Sequence, residues 1–411
     1  MPVAKAIAAV GSPGLRLAVA AIVGLAALSL PISATASSTR LVIVEYSVPG
    51  ANPNGIATGS DGNLWFTDPS HNSVDRFTLE RTVTAYPVQG SNVNPSDITS
   101  GPDGNLWFLE QNTQGTNPPI AYVGKMTIAG VASQYPTGSG GFLSGIAVGP
   151  DGNVWFNEVD VFKVAKLTPG GVLTEYPNPN GPSAQEVGIT AGPDGNLWVT
   201  DAAGNIVWRI SRDGAFTAFN LPMPNRGATA ITVGADGNLW FAEGSANQIG
   251  RMTTTGTLAE FALPTPNAAP VGGLSKGADG NVWFTEAGAN QVGVISPIGV
   301  IHEYPIPTAN SFPRKPTLGP DGHIWFPENA GNIAWIAGYG RTSDAIPPTL
   351  GQYASPGNRS TPPPPPLPTQ PSVAAAHRLG GPSTRQAVPS VSRLMPQWLL
   401  PAMLRDLQAL F

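Results

Sequence analysis

The 411-residue sequence contains no cysteine. This absence excludes a disulfide framework, a cysteine-ligated zinc or iron–sulfur site, and thiol catalysis. Charged residues are also scarce, at 11% of the chain against about 25% in an average soluble protein. Helix bundles and coiled coils depend on many charged and helix-forming residues, so this composition excludes them. The 49 Gly and 44 Pro indicate a chain rich in turns, while 10 Trp and a 41% hydrophobic share argue against general disorder.

Basic side chains are few in the central region. Residues 41–340 hold 24 acidic and 12 basic residues, whereas both flanking regions carry a net positive charge. An acidic body repels phosphate backbones, so we expect no nucleic-acid partner. Divalent cations would be attracted instead. We expect the protein to be a monomer whose ligand is a small molecule or a component of the cell envelope.

The N-terminus has the features of a processing segment. Lys5 and Arg16 precede an apolar run over residues 17–32, and Ala34-Thr35-Ala36 follows it. This order predicts a secretory signal peptide over residues 1–36 and hence a secreted or cell-envelope protein. The alternative is an uncleaved segment that anchors the protein in the membrane.

The C-terminal region differs from the rest in composition. Residues 341–394 are rich in Pro, Ser and Thr, which predicts an extended, disordered linker. Residues 395–411 form a short amphipathic segment with apolar residues on one helical face. That helix either docks on the protein's own surface or, through residues 398–411, contacts a membrane or a partner protein.

One unit recurs seven times in the central region. The string Asp-Gly-[Asn/His]-[Leu/Val/Ile]-Trp-[Phe/Val] recurs at spacings of 42, 48, 43, 42, 43 and 42 residues. Each unit contains four short apolar segments, and Asp-Gly between the first two predicts a two-residue hairpin turn. Four strands per unit, repeated seven times, predict an all-β, seven-bladed β-propeller over residues 41–340. The turns begin at Asp61, Asp103, Asp151, Asp194, Asp236, Asp279 and Asp321.

Two further features of the fold follow from the repeat. The last unit supplies three strands before residue 340, while residues 41–47 resemble an unattached fourth strand. We therefore expect the N-terminal strand to complete blade seven and close the ring. The Trp of each string is expected to fill the apolar layer between neighbouring blades.

The repeat resembles that of the virginiamycin B (streptogramin) lyase family. The shared pattern is G-I-x-x-G-P-D-G-N-L-W-F-T-E, then N-x-I-G-R-x-T-x-x-G-x-x-x-E-F-x-L-P, and residues 231–264 (ITVGADGNLWFAEGSANQIGRMTTTGTLAEFALP) are the nearest stretch. The resemblance covers residues 41–340. It implies a seven-bladed propeller, and an activity that opens cyclic streptogramin B antibiotics by magnesium-dependent C–O elimination.

The family's site residues are only partly present. The family places Glu-x-His before the first strand of the last blade, where this sequence has Phe312-Pro313-Arg314. It places a second His in the preceding blade, where Gly272 stands here. Only the Glu after Trp-Phe-x, Glu328, is retained. Elimination needs a general base, usually His, so the sequence predicts that the family's activity is lost.

A carboxylate lies seven residues after each turn Asp. Hairpin geometry predicts that all seven lie toward one face of the ring, opposite the Asp-Gly turns. One interpretation is structural, with each carboxylate accepting hydrogen bonds from loop backbone. The other is a Mg²⁺ or Ca²⁺ site at Glu328, Glu286 and Glu243, since both ions prefer oxygen ligands. Arg314 and the remaining carboxylates would then line a binding face: Asp68, Glu110, Glu158 and Asp201.

One of the four His residues is expected near this face. His71 follows Asp68 by three residues. It is either a solvated loop residue or a relocated general base, the only catalytic candidate that the sequence offers. The 48-residue interval adds a loop within residues 111–120 on the same face, where propellers bind ligands.

Three functions are compatible with these observations. The first is a lyase-like propeller that binds a ligand at the cell envelope without the catalytic His residues. The second is an active metal-dependent enzyme, a virginiamycin B-type lyase or a lactone or ester hydrolase with a rearranged site. The third is a structural or protein-docking domain.

Overall fold

The computed structural model describes residues 41–90, 93–111, 120–137, 142–222 and 226–337. Within these ranges the chain forms 28 strands, arranged as seven sheets of four antiparallel strands. The predicted signal peptide, linker and C-terminal segment lie outside the described residues, as does most of the loop over residues 111–120. Among the residues that the structure describes, no helix has the length and apolar composition needed to span a bilayer.

The chain enters the ring with β1 (Val42–Ser47), and each of the next six blades uses four consecutive strands, innermost first. Blades 1 and 2 comprise β2 (Ile56–Thr58), β3 (Leu64–Asp68), β4 (Ser73–Phe77), β5 (Val83–Pro87), β6 (Pro95–Ser100), β7 (Leu106–Glu110), β8 (Tyr122–Met126) and β9 (Ala132–Pro136). Blades 3 and 4 comprise β10 (Leu143–Val148), β11 (Val154–Glu158), β12 (Lys163–Leu167), β13 (Leu173–Pro177), β14 (Glu186–Ala191), β15 (Leu197–Asp201), β16 (Ile206–Ile210) and β17 (Phe216–Asn220).

The remaining blades follow the same order. Blades 5 and 6 comprise β18 (Ala228–Val233), β19 (Leu239–Glu243), β20 (Gln248–Met252), β21 (Leu258–Ala262), β22 (Gly273–Lys276), β23 (Val282–Glu286), β24 (Gln291–Ile295) and β25 (Ile301–Pro305). Blade 7 adds β26 (Thr317–Leu318), β27 (Ile324–Glu328) and β28 (Asn332–Ala337). The helices within the described ranges are short 3-10 turns at Val159–Val161, Gly181–Ser183 and Gly244–Ala246.

The ring closes through the N-terminal strand, as the sequence predicts. β1 pairs with β28 in antiparallel register from Val42↔Ala337 to Ser47↔Asn332, and so forms the outer strand of blade 7. Glu45 on β1 accepts hydrogen bonds from the backbone N–H and the hydroxyl of Thr308, both at 2.9 Å. The prediction of a seven-bladed, all-β propeller closed by its first strand is confirmed.

The repeated Trp residues lie between blades. Trp65 of blade 1 packs with Ile98 and Phe108 of blade 2 in one buried cluster, and the other blades repeat this contact. Each indole N–H also donates to the turn Asp four residues earlier, as in Trp65 Nε1 to Asp61 Oδ1 at 3.1 Å. The Trp therefore joins the apolar layer to the hairpin turn of its own blade.

The predicted two-residue turn is wrong in detail. In blade 1, Gly59 N–H bonds the Asn63 carbonyl and Gly62 N–H bonds the Gly59 carbonyl, which leaves a three-residue loop. Gly62 has a φ of 72°, whereas Asp61 does not have a positive φ. This is a type I turn followed by a left-handed Gly. The Asp stays in the right-handed region because its side chain accepts hydrogen bonds from Asn63 N–H and the Trp indole.

The seven inner strands form the wall of the ring, each in contact with the next, and β26 contacts β2. All blades share one strand order, so the ring has two distinct faces. We call the face with the Asp-Gly turns the turn face. The opposite face, formed by the loops from second to third strands and the blade-to-blade connections, is the mouth face.

Candidate functional site

The seven predicted carboxylates all end the second strand of their blade, at the mouth-face end of the ring. Every one of them is fully buried. They therefore lie below the loops of the mouth face, within the blades, and do not form an exposed ring of charge. The seven are Asp68, Glu110, Glu158, Asp201, Glu243, Glu286 and Glu328.

The two Asp residues of this set hold loop backbone in place. Asp68 Oδ1 accepts the N–H groups of Asn52 and Ser70 at 3.0 and 3.1 Å. Asp201 Oδ1 accepts the N–H groups of Gln185 and Gly204, both at 2.8 Å. In blades 1 and 4 the carboxylate thus has the contacts that the structural interpretation predicts.

The five Glu residues reach toward the outer strand of their own blade instead. In blade 2, Gln134 donates to Glu110 Oε2 at 2.5 Å. In the other four blades the partner is itself a carboxyl group. These pairs are Glu158–Glu175, Glu243–Glu260, Glu286–Glu303 and Glu328–Glu45.

These outer-strand partners are not among the residues predicted from the sequence, although the repeat contains a signal for them. A fourth-strand Glu occurs at residues 45, 175, 260 and 303, each in a blade with a second-strand Glu. Blades 1 and 4, which have the shorter Asp, carry Ala85 and Ala218 at that position. The third-strand residue opposite the outer-strand Glu is small, as at Gly250 opposite Glu260, which leaves space for the two carboxyl groups to approach each other.

Burial makes most of these Glu residues weak acids. It raises the pKa of Glu110 to about 8, and Gln134 opposes the rise. Burial, together with the facing carboxyl group, raises the pKa of Glu243 to about 7 and that of Glu286 to about 8. The pKa of Glu328 rises to about 8 for the same reasons, with Glu45 as its neighbour. At neutral pH these carboxyl groups hold their protons for much of the time, and a protonated group can donate to the carboxyl that it faces.

The proposed metal ligands are not brought together. Glu328, Glu286 and Glu243 each face a Glu of their own blade. Within the part of the chain that the structure describes, no three His, Asp or Glu side chains converge as metal ligands. Mg²⁺ needs near-octahedral oxygen coordination and usually keeps several of its waters. These buried pairs offer neither that geometry nor room for the waters. As arranged here, the residues do not fit a Mg²⁺ ion.

His71 lies on the mouth face, as expected, and its side chain is 40% exposed. Its Nδ1 is 2.7 Å from Asp68 Oδ2, so the carboxylate orients the imidazole. His323 lies on the turn face, with Nδ1 3.0 Å from Asp321 Oδ2, and His302 is exposed on an outer strand. Among the described His residues, His71 alone approaches the mouth face.

The positions that correspond to the family's active site are adjacent to Glu328. Pro313 forms a β-bridge with Glu328, and the Arg314 N–H donates to the Pro327 carbonyl at 2.9 Å. Arg314 Nε donates to Asn329 Oδ1 at 3.0 Å. At Gly272 a Cβ atom would collide with the Thr285 hydroxyl and lie 2.6 Å from the Pro313 carbonyl oxygen.

The inner wall holds an ion pair that the sequence analysis did not identify. Lys315 Nζ lies 3.2 Å from Asp97 Oδ2, which links blade 7 to blade 2. Both residues follow directly after the position of the family's His in their blades. Asp97 Oδ2 also accepts the Ile146 N–H of blade 3 at 3.2 Å. The signal in the sequence is that the equivalent residues of the other blades are small: Gly55, Gly145, Gly188, Ala230 and Gly273.

Comparison with known proteins finds virginiamycin B lyases with the same propeller fold. The model of the virginiamycin B lyase family matches residues 38–180. A virginiamycin B lyase from Staphylococcus aureus is 32% identical, with 72% of this chain and 99% of that chain covered and a TM-score of 0.67. A catalytically inactive His-to-Ala variant of that lyase, with quinupristin, gives the same identity, coverage and TM-score. A streptogramin B lyase structure is also 32% identical, covering 73% of this chain and 98% of that chain, with a TM-score of 0.67. No curated protein sequence matches the chain significantly.

Proposed function

Because the chain belongs to the virginiamycin B lyase family, we propose that it is a ligand-binding propeller that has lost the family's elimination chemistry. The observation that carries this proposal is the set of residues at the family's site. Arg314 stands in place of the expected base, and arginine keeps its proton at physiological pH. Phe312, in place of the Glu, offers no oxygen to a metal ion.

The backbone around Gly272 supports the same conclusion. A Cβ at this position would collide with Thr285 and approach the Pro313 carbonyl, so the second His of the family has no space here. Loss of general acid–base catalysis costs about 10²–10⁴-fold in rate. Loss of a metal ligand as well would lower the remaining rate further.

A family member can hold a ligand without one of those residues. The inactive variant of the S. aureus lyase lacks one His, and its structure includes quinupristin. By analogy, a propeller without the catalytic His residues retains a mouth that can hold a ligand. The predicted signal peptide supports a location outside the cytoplasm, which fractionation of cells followed by N-terminal sequencing would test.

The direct experiment separates binding from turnover. Purified protein is titrated with quinupristin by calorimetry, and the same mixture with Mg²⁺ is followed by mass spectrometry. We expect a saturable binding signal and no ring-opened product. A family lyase with its catalytic residues intact serves as the positive control for turnover. Magnesium-dependent opening of the ring well above the rate in buffer would contradict the proposal.

A second candidate function rests on His71 and Asp68. Their contact at 2.7 Å orients an imidazole on the mouth face, which is the arrangement of a base with its supporting carboxylate. This favours a lyase or hydrolase with a rearranged site. If turnover of quinupristin or a lactone is detected, His71→Ala should abolish it. His302→Ala, on an exposed outer strand, is the matched control and should leave the rate unchanged.

A further inference from the structure

Arg314 is a half-buried cation without an acidic partner among the described residues. Its Nε donates to Asn329 Oδ1 at 3.0 Å. Its backbone is held on both sides, by the Pro327 carbonyl and by the Thr285 hydroxyl, which donates to the Arg314 carbonyl at 3.1 Å. Burial lowers the pKa of Arg314, and no neighbouring carboxylate counteracts this. The Arg314 backbone and its Nε are therefore held, and no carboxylate among the described residues compensates the charge of the guanidinium.

Several other partly buried cations of the propeller are paired with carboxylates. Arg226 lies 3.0 Å from Glu260, Lys163 lies 2.9 Å from Glu175, and Lys315 lies 3.2 Å from Asp97. A desolvated charge without a partner is unfavourable, and a bound anion would remove that cost. Arginine is well suited to such an anion because its planar fork binds a carboxylate through two parallel hydrogen bonds.

The carboxyl groups of blade 7 do not neutralise Arg314. Glu328, the second-strand residue of this blade, is fully buried and faces Glu45. Its pKa is raised to about 8 by burial and by Glu45, so it is largely protonated at neutral pH. The positive charge at the mouth of blade 7 therefore persists although the whole body of the protein is acidic.

Exposed apolar side chains also occur in the mouth-face segments of blades 6 and 7. Phe312, two residues before Arg314, is 42% exposed, and Val271 of blade 6 is 46% exposed. We propose that Arg314 binds the carboxylate of an organic anion that carries an apolar group beside it, with Phe312 in contact with that group. This inference rests on the proposed ligand-binding function and names the chemical class of the ligand.

The test compares an acid with its neutral amide. N-acetyl-L-phenylalanine and N-acetyl-L-phenylalaninamide differ only in the charged group, and each is titrated into the full-length protein by calorimetry or NMR. We expect the acid to bind with a dissociation constant in about the millimolar range, as suits a single charge-assisted contact. The amide should bind at least about tenfold more weakly.

Three variants connect the binding to Arg314. Arg314→Gln should weaken binding of the acid by about tenfold or more, and Arg314→Lys should lie between this variant and the native protein, since lysine keeps the charge but loses the fork. Arg212→Gln removes the same charge from the turn face, where Arg212 donates to the Gly195 carbonyl, and should leave binding unchanged. A circular dichroism melt of each variant checks that the fold is intact.

The outcomes distinguish this inference from the proposed function. Failure of the acid to bind, equal binding of acid and amide, or an unchanged affinity in Arg314→Gln would each overturn it. If quinupristin still binds in those cases, the ligand-binding function stands and only the anion site is wrong. If the acid binds through Arg314 while quinupristin does not, the anion site stands and the streptogramin analogy fails.

Discussion

Lys315 Nζ lies 3.2 Å from Asp97 Oδ2, so one ion pair joins blade 7 to blade 2 on the inner wall of the ring. Blade 6, which lies next to blade 7, has Gly273 at the position equivalent to Lys315 and so leaves room for Lys315. A Cβ at Gly273 would lie 2.5 Å from the Lys315 Cα atom. The pair thus occupies a position that small residues fill elsewhere, and it connects blades that do not follow each other in the ring.

The first prediction is that this pair contributes little stability. Both side chains are partly exposed, at 38% for Lys315 and 21% for Asp97. Pairs of this kind contribute about 0–1 kcal/mol. A double-mutant cycle with Lys315→Met and Asp97→Asn, measured by denaturant unfolding, should give a coupling free energy in that range. It should shrink further in high salt, because exposed charges are screened. A coupling of several kcal/mol would mean that the ring depends on this contact.

The second prediction concerns closure of the ring. Deletion of residues 37–47 removes β1, so blade 7 loses its outer strand and Thr308 loses its hydrogen bonds to Glu45. The midpoint of thermal unfolding of the whole propeller should fall in a single cooperative transition. Deletion of residues 37–40 alone is the matched control and should leave the melting temperature unchanged. An equal melting temperature in both deletions would contradict the role of β1.

The third prediction is that the propeller is more stable at mildly acidic pH than at pH 8. The pKa values of Glu110, Glu243, Glu286 and Glu328 rise from 4.5 to about 7 or 8 on folding. Between these values the folded state holds more protons than the unfolded chain, so the free energy of unfolding falls as pH rises. The melting temperature should therefore drop steadily between about pH 5 and about pH 8.

The opposite behaviour is expected below this window. Burial acts to raise the pKa of Asp103, but hydrogen bonds from Lys125, Trp107 and Asn105 lower it overall. The equivalent turn carboxylates Asp151, Asp194 and Asp236 also have lowered pKa values. Their contribution is present above their unfolded value of 3.8 and is lost as pH falls further. Stability should therefore be greatest at about pH 4–5, above the range in which the turn Asp residues lose their contribution and below the range in which the buried Glu residues lose theirs.

A single substitution tests whether a buried Glu causes the loss of stability between about pH 5 and about pH 8. Glu286→Gln replaces a protonated carboxyl by a neutral side chain of the same shape, so this variant should lose less stability between about pH 5 and about pH 8 than the native protein. Glu80→Gln, at an exposed turn, is the control and should follow the native pH profile. Identical profiles for all three proteins would show that Glu286 does not titrate in this range.

The fourth prediction is that neither Mg²⁺ nor Ca²⁺ binds at Glu328, Glu286 and Glu243. Each of these residues is buried, faces a carboxyl of its own blade and has a raised pKa, so it would have to lose its proton before it could bind a cation. Calorimetric titration at neutral pH should give no saturable heat. If heat appears and Glu328→Gln removes it without changing the circular dichroism spectrum, the metal site predicted from the sequence exists.

The propeller fold of this protein can be predicted from its sequence, because the fold depends on local, repeated interactions. Seven strings with Trp at one position, at intervals of 42 to 48 residues, indicate seven equivalent hairpins, and a missing fourth strand at one end matches a spare strand at the other. Asp-Gly alone predicts the wrong type of hairpin turn, because a dipeptide pattern describes only the backbone of Asp61. Its side chain instead bonds Asn63 and Trp65, a role that the dipeptide does not reveal.

The chemistry of the mouth could not be predicted in the same way. Periodicity placed seven carboxylates at one end of the ring, but whether they reach solvent depends on the strands and loops packed around them. Packing buries all seven and sets Glu328 opposite Glu45, a residue 283 positions earlier in the sequence. Packing also joins Lys315 to Asp97 and leaves Arg314 without an acidic partner among the described residues. Repeated strand and turn patterns are local and can be read along the chain. Whether a buried carboxyl keeps its proton, and whether a guanidinium has an acidic partner, depends on groups that only the packed strands and loops bring within a few ångströms of it.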